Sequence, residues 1–241
     1  MIWRWLICFS VLAAGAVAQT GRAAPGVSGR VALTDSQDPA VRKQKNYSGV
    51  VVWLEPAGKP APPPPPGRAQ MRQKGKRFLP HVLAIPVGTT VDFPNLDPIF
   101  HNAFSNFAGQ PFDVGLYPPG SNRSVTFRQP GIVRVFCNIH STMSAIIAVV
   151  KTPWFAVSEA SGAYRITGVP AGEYRLRLFH ERALPETLRA LERKVTIAGE
   201  PLELPPIAIT ETGFIPAPHL NKHNQPYPPV ADERMYPGSP K

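Results

Sequence analysis

The stretch Gly131-Ile132-Val133-Arg134-Val135-Phe136-Cys137-Asn138-Ile139-His140-Ser141-Thr142-Met143-Ser144-Ala145 governs how the rest of the chain is read. Its β-branched and aromatic run over 131–136 predicts a strand that delivers Cys137 at its end. A tight loop then turns His140 and Met143 back toward the same point, before a second apolar run over 145–150 begins. A thiol, an imidazole and a thioether are thereby gathered at one end of a β structure.

Working outward, the pattern stays β. Thirty prolines and nineteen glycines break the chain into short Val/Ile/Phe/Tyr runs. Strand signals fall at 27–33, 50–54, 81–85, 89–93, 111–116, 124–127, 131–136 and 145–150, with turn punctuation between them. That is enough for one antiparallel sandwich with a core of its own over residues 19–151. Residues 59–77, with five consecutive prolines followed by a strongly basic segment, are expected as an exposed, semi-stiff inserted loop. A second unit over 152–211 has its own strand signals and Leu184, Leu188 and Leu191 at helical spacing. It is too small to be stable alone and is expected to pack on the first. Beyond it, 212–241 shows no periodicity and reads as an extended or disordered tail. The fold class is all-β.

The first 18 residues read as a secretory signal: a positive start at Arg4, an apolar run over 5–17, and Ala16-Val17-Ala18 as the cleavage site. The run is too short for a membrane-spanning helix. The expected destination is the periplasm, and the mature chain is expected to be soluble and not membrane-spanning. Losing Arg4 leaves 25 basic against 16 acidic residues, a net charge of +9, which favours acidic partners. An exported chain without a basic recognition helix is a poor nucleic-acid binder. Cys8 leaves with the leader, so Cys137 is the single cysteine of the mature chain. An unpaired thiol in an oxidising compartment is either an inert core residue, an intermolecular bridge, a nucleophile or a metal ligand.

A lone cysteine beside a strand is ordinarily a small core residue. Here it is joined by His140 and Met143 at tight spacing and by His101, in a turn-rich segment that follows a strand. In a Greek-key sandwich, two such loops meet at one end. Thiolate and thioether suit Cu(I), imidazole suits Cu(II), and the set His101, Cys137, His140 with Met143 as weak axial donor is that of one type 1 copper ion. Zinc is disfavoured by the methionine and by the single thiolate. A nucleophilic Cys–His pair remains open, although a base three residues away on the same loop is poorly placed. The absence of Cys-x-x-Cys-His excludes covalent haem. His81 reads as a packed or surface residue and His180 as a satisfied strand-end histidine. His219 and His223 lie in the tail, where Pro216 and Pro218 argue against a preformed metal site. Trp53, Trp154 and Phe155 read as core or junction residues.

Residues 78–150 resemble the cupredoxins, amicyanin and pseudoazurin in particular, which share the Cys-x-x-His-x-x-Met loop. The likeness rests on Gly88-Thr89-Thr90-Val91, the Asn95-x-Asp97 turn, His101-Asn102 and Val135-Phe136-Cys137. The chain from 19 onward is also similar to exported methylamine-utilization-type proteins. Those pair a Greek-key cupredoxin sandwich with a small prealbumin-like (carboxypeptidase-regulatory-like) β-sandwich, marked here by Gly168-Val169-Pro170-Ala171-Gly172-Glu173-Tyr174. The resemblance implies that Asn102 ties the two ligand loops together and hydrogen-bonds toward the thiolate, and that electrons pass through the edge of His140. Asn138-Ile139 departs from the family, in which a proline often precedes the histidine.

The expected function is single-electron transfer in the periplasm, with transient contact to an acidic redox protein, a cytochrome or a dehydrogenase. The alternative is a non-redox copper carrier, or an assembly module whose second sandwich has a carbohydrate-binding-like fold and grips a protein or glycan. No paired carboxylates, triad or cofactor loop supports catalysis, so an enzyme is not expected.

Overall fold

The computed structural model describes residues 26–65, 67–106, 110–215 and 219–227. The signal segment and residues 228–241 therefore lie outside the described residues. Among those described, no helix is long and apolar enough to cross a membrane.

Four sheets are stacked face to face and separated by three apolar layers. In the first sheet, Gly26–Thr34 is central. It runs antiparallel to Ala163–Thr167 and parallel to Leu202–Glu203 and Ile207–Thr210. The second sheet is fully antiparallel, in the order Phe155–Val157, Val51–Pro56, Gly172–Phe179, Arg193–Ile197. Between them lie Val27, Val31, Val52, Leu54, Tyr164, Ile166, Leu176 and Ile197, the core of one sandwich.

The third sheet has the order Val82–Pro86, Ser144–Val150, Gly131–Phe136, Phe104–Ser105, Phe112–Asp113. Its first pair is parallel and the rest antiparallel. The fourth holds Asn122–Thr126, Thr90–Pro94 and Arg68–Gln70. Pairing of strands far apart in sequence is what a Greek-key path produces. Phe78, Phe93, Tyr117, Phe127, Val133, Val135 and Ile147 fill this second core, and Cys137 and Met143 belong to it.

Val51, Val82, Ala84, Ile146 and Ala148 form the layer that joins the two sandwiches. The strands at the centre of the stack therefore bury both faces. Val50–Val52 and all of 145–150 are buried without alternation, the sequence signature of a strand covered on both sides.

Three expectations are corrected. Residues 26–56 do not belong to the same sandwich as the metal loop. Gly26–Thr34 and Val51–Pro56 pair with strands from 155–210, so residues 68–150 are inserted into the other sandwich. Strand partners are chosen by register and face complementarity over long separations, and local alternation does not report them. Nor is 59–77 all loop. Arg68–Gln70 and Arg72–Gln73 are strands, and Phe78–Leu79 pairs with the second of these. Met71 and Gln73 point inward while the arginines and Gln70 face solvent. Finally, the described part of the tail, 219–227, is docked against the end of the sandwich that carries Cys137. A short helix, Pro39–Gln44, capped by the Asp38 side chain on the Ala40 N–H, adds to the expected one at Pro185–Ala190.

Candidate metal centre

Cys137 emerges from Gly131–Phe136 at the point where Phe136 faces Ser144 on one side and Phe104 on the other. The loop that follows is closed at its base by the Cys137 N–H donating to the Met143 carbonyl at 3.1 Å. It is tightened by the Met143 N–H donating to the His140 carbonyl at 3.0 Å. His101 enters from the other side, held by a two-way backbone bridge to Tyr117. Tyr117 is in turn anchored by its hydroxyl donating to the Phe93 carbonyl at 2.8 Å.

The result is a convergence of three donors. His101 Nδ1 lies 3.9 Å and His140 Nδ1 lies 3.6 Å from Cys137 Sγ. All three ligand atoms fall within 4.8 Å of one another. Bonds of about 2.0–2.3 Å at roughly trigonal angles around one ion would set nitrogen and sulfur about 3.8 Å apart. The donor set and its spacing therefore fit a single soft or borderline transition-metal ion. Cys137 and His101 are fully buried and His140 is half-buried, so the cluster reaches the surface on the His140 side. Met143 is buried in the same core and its backbone adjoins Cys137.

His101 is fixed by a carboxylate. Its Nε2–H donates to Asp97 Oδ2 at 2.8 Å, which leaves the Nδ1 lone pair facing the sulfur. Burial pulls the imidazole below its ordinary 6.5 by more than the hydrogen bond and charge of Asp97 raise it, which favours the neutral ring that a metal requires. Burial also works to raise the Asp97 carboxyl, but the Lys76 N–H, the His101 ring and the Gly75 N–H outweigh it and hold the group below its ordinary value. Those two amides approach at 2.6 and 2.8 Å from successive residues with φ of 63° and 54°. Such a left-handed pair aims adjacent N–H groups at one anion. Asn95 completes the turn by accepting from the Asp97 N–H at 3.0 Å.

Asn102 bridges the two ligand loops. Its Oδ1 accepts from the Asn138 N–H at 3.2 Å, and its Nδ2 donates to Asp113 Oδ1 and the Gly115 carbonyl. The Gln73 side chain holds its carbonyl at 3.1 Å. Among the described residues these contacts run to the loops rather than to the sulfur. Sequence reasoning missed Asp97 as the partner of His101, although an Asx-turn aspartate four residues before a candidate ligand was there to be weighed. It also missed Gln73, Asp113 and the tail residues Lys222 and Tyr227, for which no local pattern exists. Two further histidines find partners elsewhere. His81 pairs with Glu181 and His180 with Glu211.

No family model matches this chain, and no curated protein does. Solved structures do resemble it. A purple cupredoxin from Nitrosopumilus maritimus is 24% identical over 35% of this chain and 99% of its own, with a TM-score of 0.32. A variant of amicyanin in its reduced state is 17% identical over 42% of this chain and 99% of its own, at 0.33. A copper-containing nitrite reductase from Thermus scotoductus is 31% identical over 50% of this chain and 28% of its own, at 0.32. Residues 68–150 of this chain form a two-sheet β-sandwich with the His101–Cys137–His140 cluster at one end.

Proposed function

We propose that this is a type 1 copper protein that passes single electrons between redox partners. The carrying observation is that His101, Cys137 and His140 converge from two loops that are already held by hydrogen bonds from neighbouring residues. In this reading the three supply the trigonal plane and Met143 the weak axial donor. Copper bound there would supply reversible one-electron chemistry. The chain's own part is to resist rearrangement. Asp97 fixes the His101 ring, Asn102 joins the loops, and the Cys137–Met143 backbone bond closes the base. A frame that does not move between oxidation states keeps the reorganisation cost of each transfer low.

The surface around the cluster suits brief contact. Phe100 precedes His101, Leu116 precedes its bridge partner Tyr117, and Leu96 precedes Asp97. These three are 48%, 58% and 51% exposed. Exposed apolar side chains next in sequence to the His101 segment would allow close approach, and the basic balance of the chain favours an acidic cytochrome or dehydrogenase. Export to the periplasm, by the leader over 1–18, and the lack of catalysis belong to this reading. The second sandwich, prealbumin-like by its Gly168–Tyr174 motif, would serve docking by fold-level analogy. A copper carrier is the competing reading, because the same frame could hold metal without cycling it.

Absorption and paramagnetic-resonance spectra of the Cu(II)-loaded protein test the proposal. An intense thiolate-to-copper band, abolished by Cys137→Ser, is expected. A colourless or redox-silent holoprotein rejects it, and rapid metal loss to an acceptor protein favours the carrier.

A further inference from the structure

We propose that residues 219–227 form a strap that holds the Cys137–His140 loop in its ligating arrangement, so that strap docking and metal retention are coupled. The inference rests on the copper reading above. It starts from two contacts between this segment and the Cys137 loop and two with residues beside it. The Tyr227 hydroxyl donates to the Cys137 carbonyl at 2.6 Å. The Lys222 N–H donates to Asn138 Oδ1 at 2.9 Å. The Lys222 ammonium pairs with Asp113 Oδ2 at 2.9 Å, and the other oxygen of that carboxylate accepts from Asn102 at 2.7 Å. The His219 ring stacks on Phe136, with centroids 4.0 Å apart and planes at 21°, and Tyr227 meets His219 edge-on.

These contacts bear on one object. Asn138 follows the cysteine directly, and it is held on both sides: its N–H by Asn102 from the His101 loop, its side chain by Lys222 from the strap. Through Asp113, the same lysine reaches Asn102. One turn of chain thus engages both ligand loops and the bridge between them. The strap is built for this. Asn221 Oδ1 accepts from the N–H groups of His223 and Gln225, and the Asn221 N–H donates to the Gln225 carbonyl. Asn224 takes the left-handed conformation, φ 60°, that closes the turn.

The ligand loop gains from outside support. Asn138-Ile139 has no proline to fix its φ, and the loop's own backbone bonds, Cys137 N–H to the Met143 carbonyl and Met143 N–H to the His140 carbonyl, leave the Cys137 carbonyl to other partners. At the Cys137 end the strap satisfies the Cys137 carbonyl and the Asn138 side-chain oxygen. A chelator gains access to the metal when the Cys137–His140 loop swings open, and the docked strap resists that opening. Ordering a chain segment costs conformational entropy, so docking depends on the loop presenting those groups correctly. Metal that fixes the loop therefore favours the strap, and by linkage the strap favours the metal.

The experiment uses the full chain loaded with Cu(I), challenged with an excess of a cuprous chelator. Tyr227→Phe, which keeps the ring, should release copper about 5–10-fold faster than the parent, the effect of one lost hydrogen bond, and Lys222→Ala, which removes the partly exposed ion pair to Asp113 and keeps the backbone N–H, about 2–5-fold faster. His223→Ala, altering an exposed side chain of the same turn, should release it at the parent rate. Copper loading should also slow tryptic cleavage after Lys222 in the parent and have a smaller effect in Tyr227→Phe. Parent-like release from both strap variants, or cleavage indifferent to copper, overturns the strap while leaving the thiolate–copper band and the copper reading intact. A parent chain that takes up no copper overturns both.

Discussion

The ligands and their supports differ in how local they are. Cys137 and His140 of the cluster were legible because one short loop holds them at fixed spacing, and His101 followed from the need for a second imidazole after a strand; Met143 as a fourth donor belongs to the proposal. Asp97 was not, because its role depends on the Gly75–Lys76 turn, which lies some twenty residues away in a segment that composition marked as loop. The structure makes Asp97 the residue that sets both the tautomer and the charge beside His101. Asp97→Asn keeps the shape but removes the anion and weakens the hydrogen bond at 2.8 Å. A carboxylate near the metal favours the more highly charged Cu(II), so the variant should have a raised reduction potential. Cu(II) affinity should fall about 10–100-fold, as for other partners of metal-bound histidines. Voltammetry and competition titration check the two effects, and an unchanged potential would show that Asp97 is a spectator.

At the scale of elements, alternation identified most strands but not their neighbours. Val27, Val31 and Leu33 announce a half-buried strand, yet nothing in them says that its partners lie beyond residue 160. The basic stretch from 68 to 79 concealed strands for a different reason. Arg and Gln are poor strand markers, and only the inward residues Met71, Gln73 and Phe78 carry the pattern. Gly29 shows how tightly the central strand is packed. A Cβ there would meet the Tyr164 hydroxyl at 2.5 Å and its ring carbon at 2.8 Å, so that buried ring would have to shift within the core. Gly29→Ala should therefore destabilise the fold by about 1–3 kcal/mol, the usual cost of overpacking. Chemical denaturation measures it. Since Gly29 lies in the first sheet of the stack, remote from the ligand loop, the copper spectrum of the folded variant should be that of the parent.

At the scale of the whole molecule, the two sandwiches are joined by an apolar layer and, at its edge, by a polar link that responds to pH. The ring of His81, just before Val82–Pro86, lies between the Ser144 carbonyl at 3.1 Å and the Glu181 carboxylate at 2.9 Å. Both partners are acceptors, so only the doubly protonated imidazolium satisfies them together. The hydrogen bond to Glu181 raises His81 above its ordinary 6.5, against a smaller opposing effect of burial; the Ser144 carbonyl adds to the rise and Arg182 subtracts from it. Burial would raise Glu181, but the bond to His81 and the charges of His81, Arg182 and His180 hold it below its ordinary 4.5. The signs define a window. His81, raised in the folded chain, contributes fully below 6.5 and loses its contribution as pH climbs through the raised value. Glu181, lowered, contributes fully above 4.5 and loses its contribution as pH falls through the lowered value. The link is thus strongest between those limits. The His81 side chain is 44% exposed, so solvent screens the pair and its contribution is no more than about 1 kcal/mol. His81→Gln should cost the metal-free protein that amount at a pH of about 5.5 and almost nothing at about 9, as read by urea denaturation at each pH. A cost independent of pH would mean that the ring stabilises the junction by packing, with the charge of Glu181 playing no part.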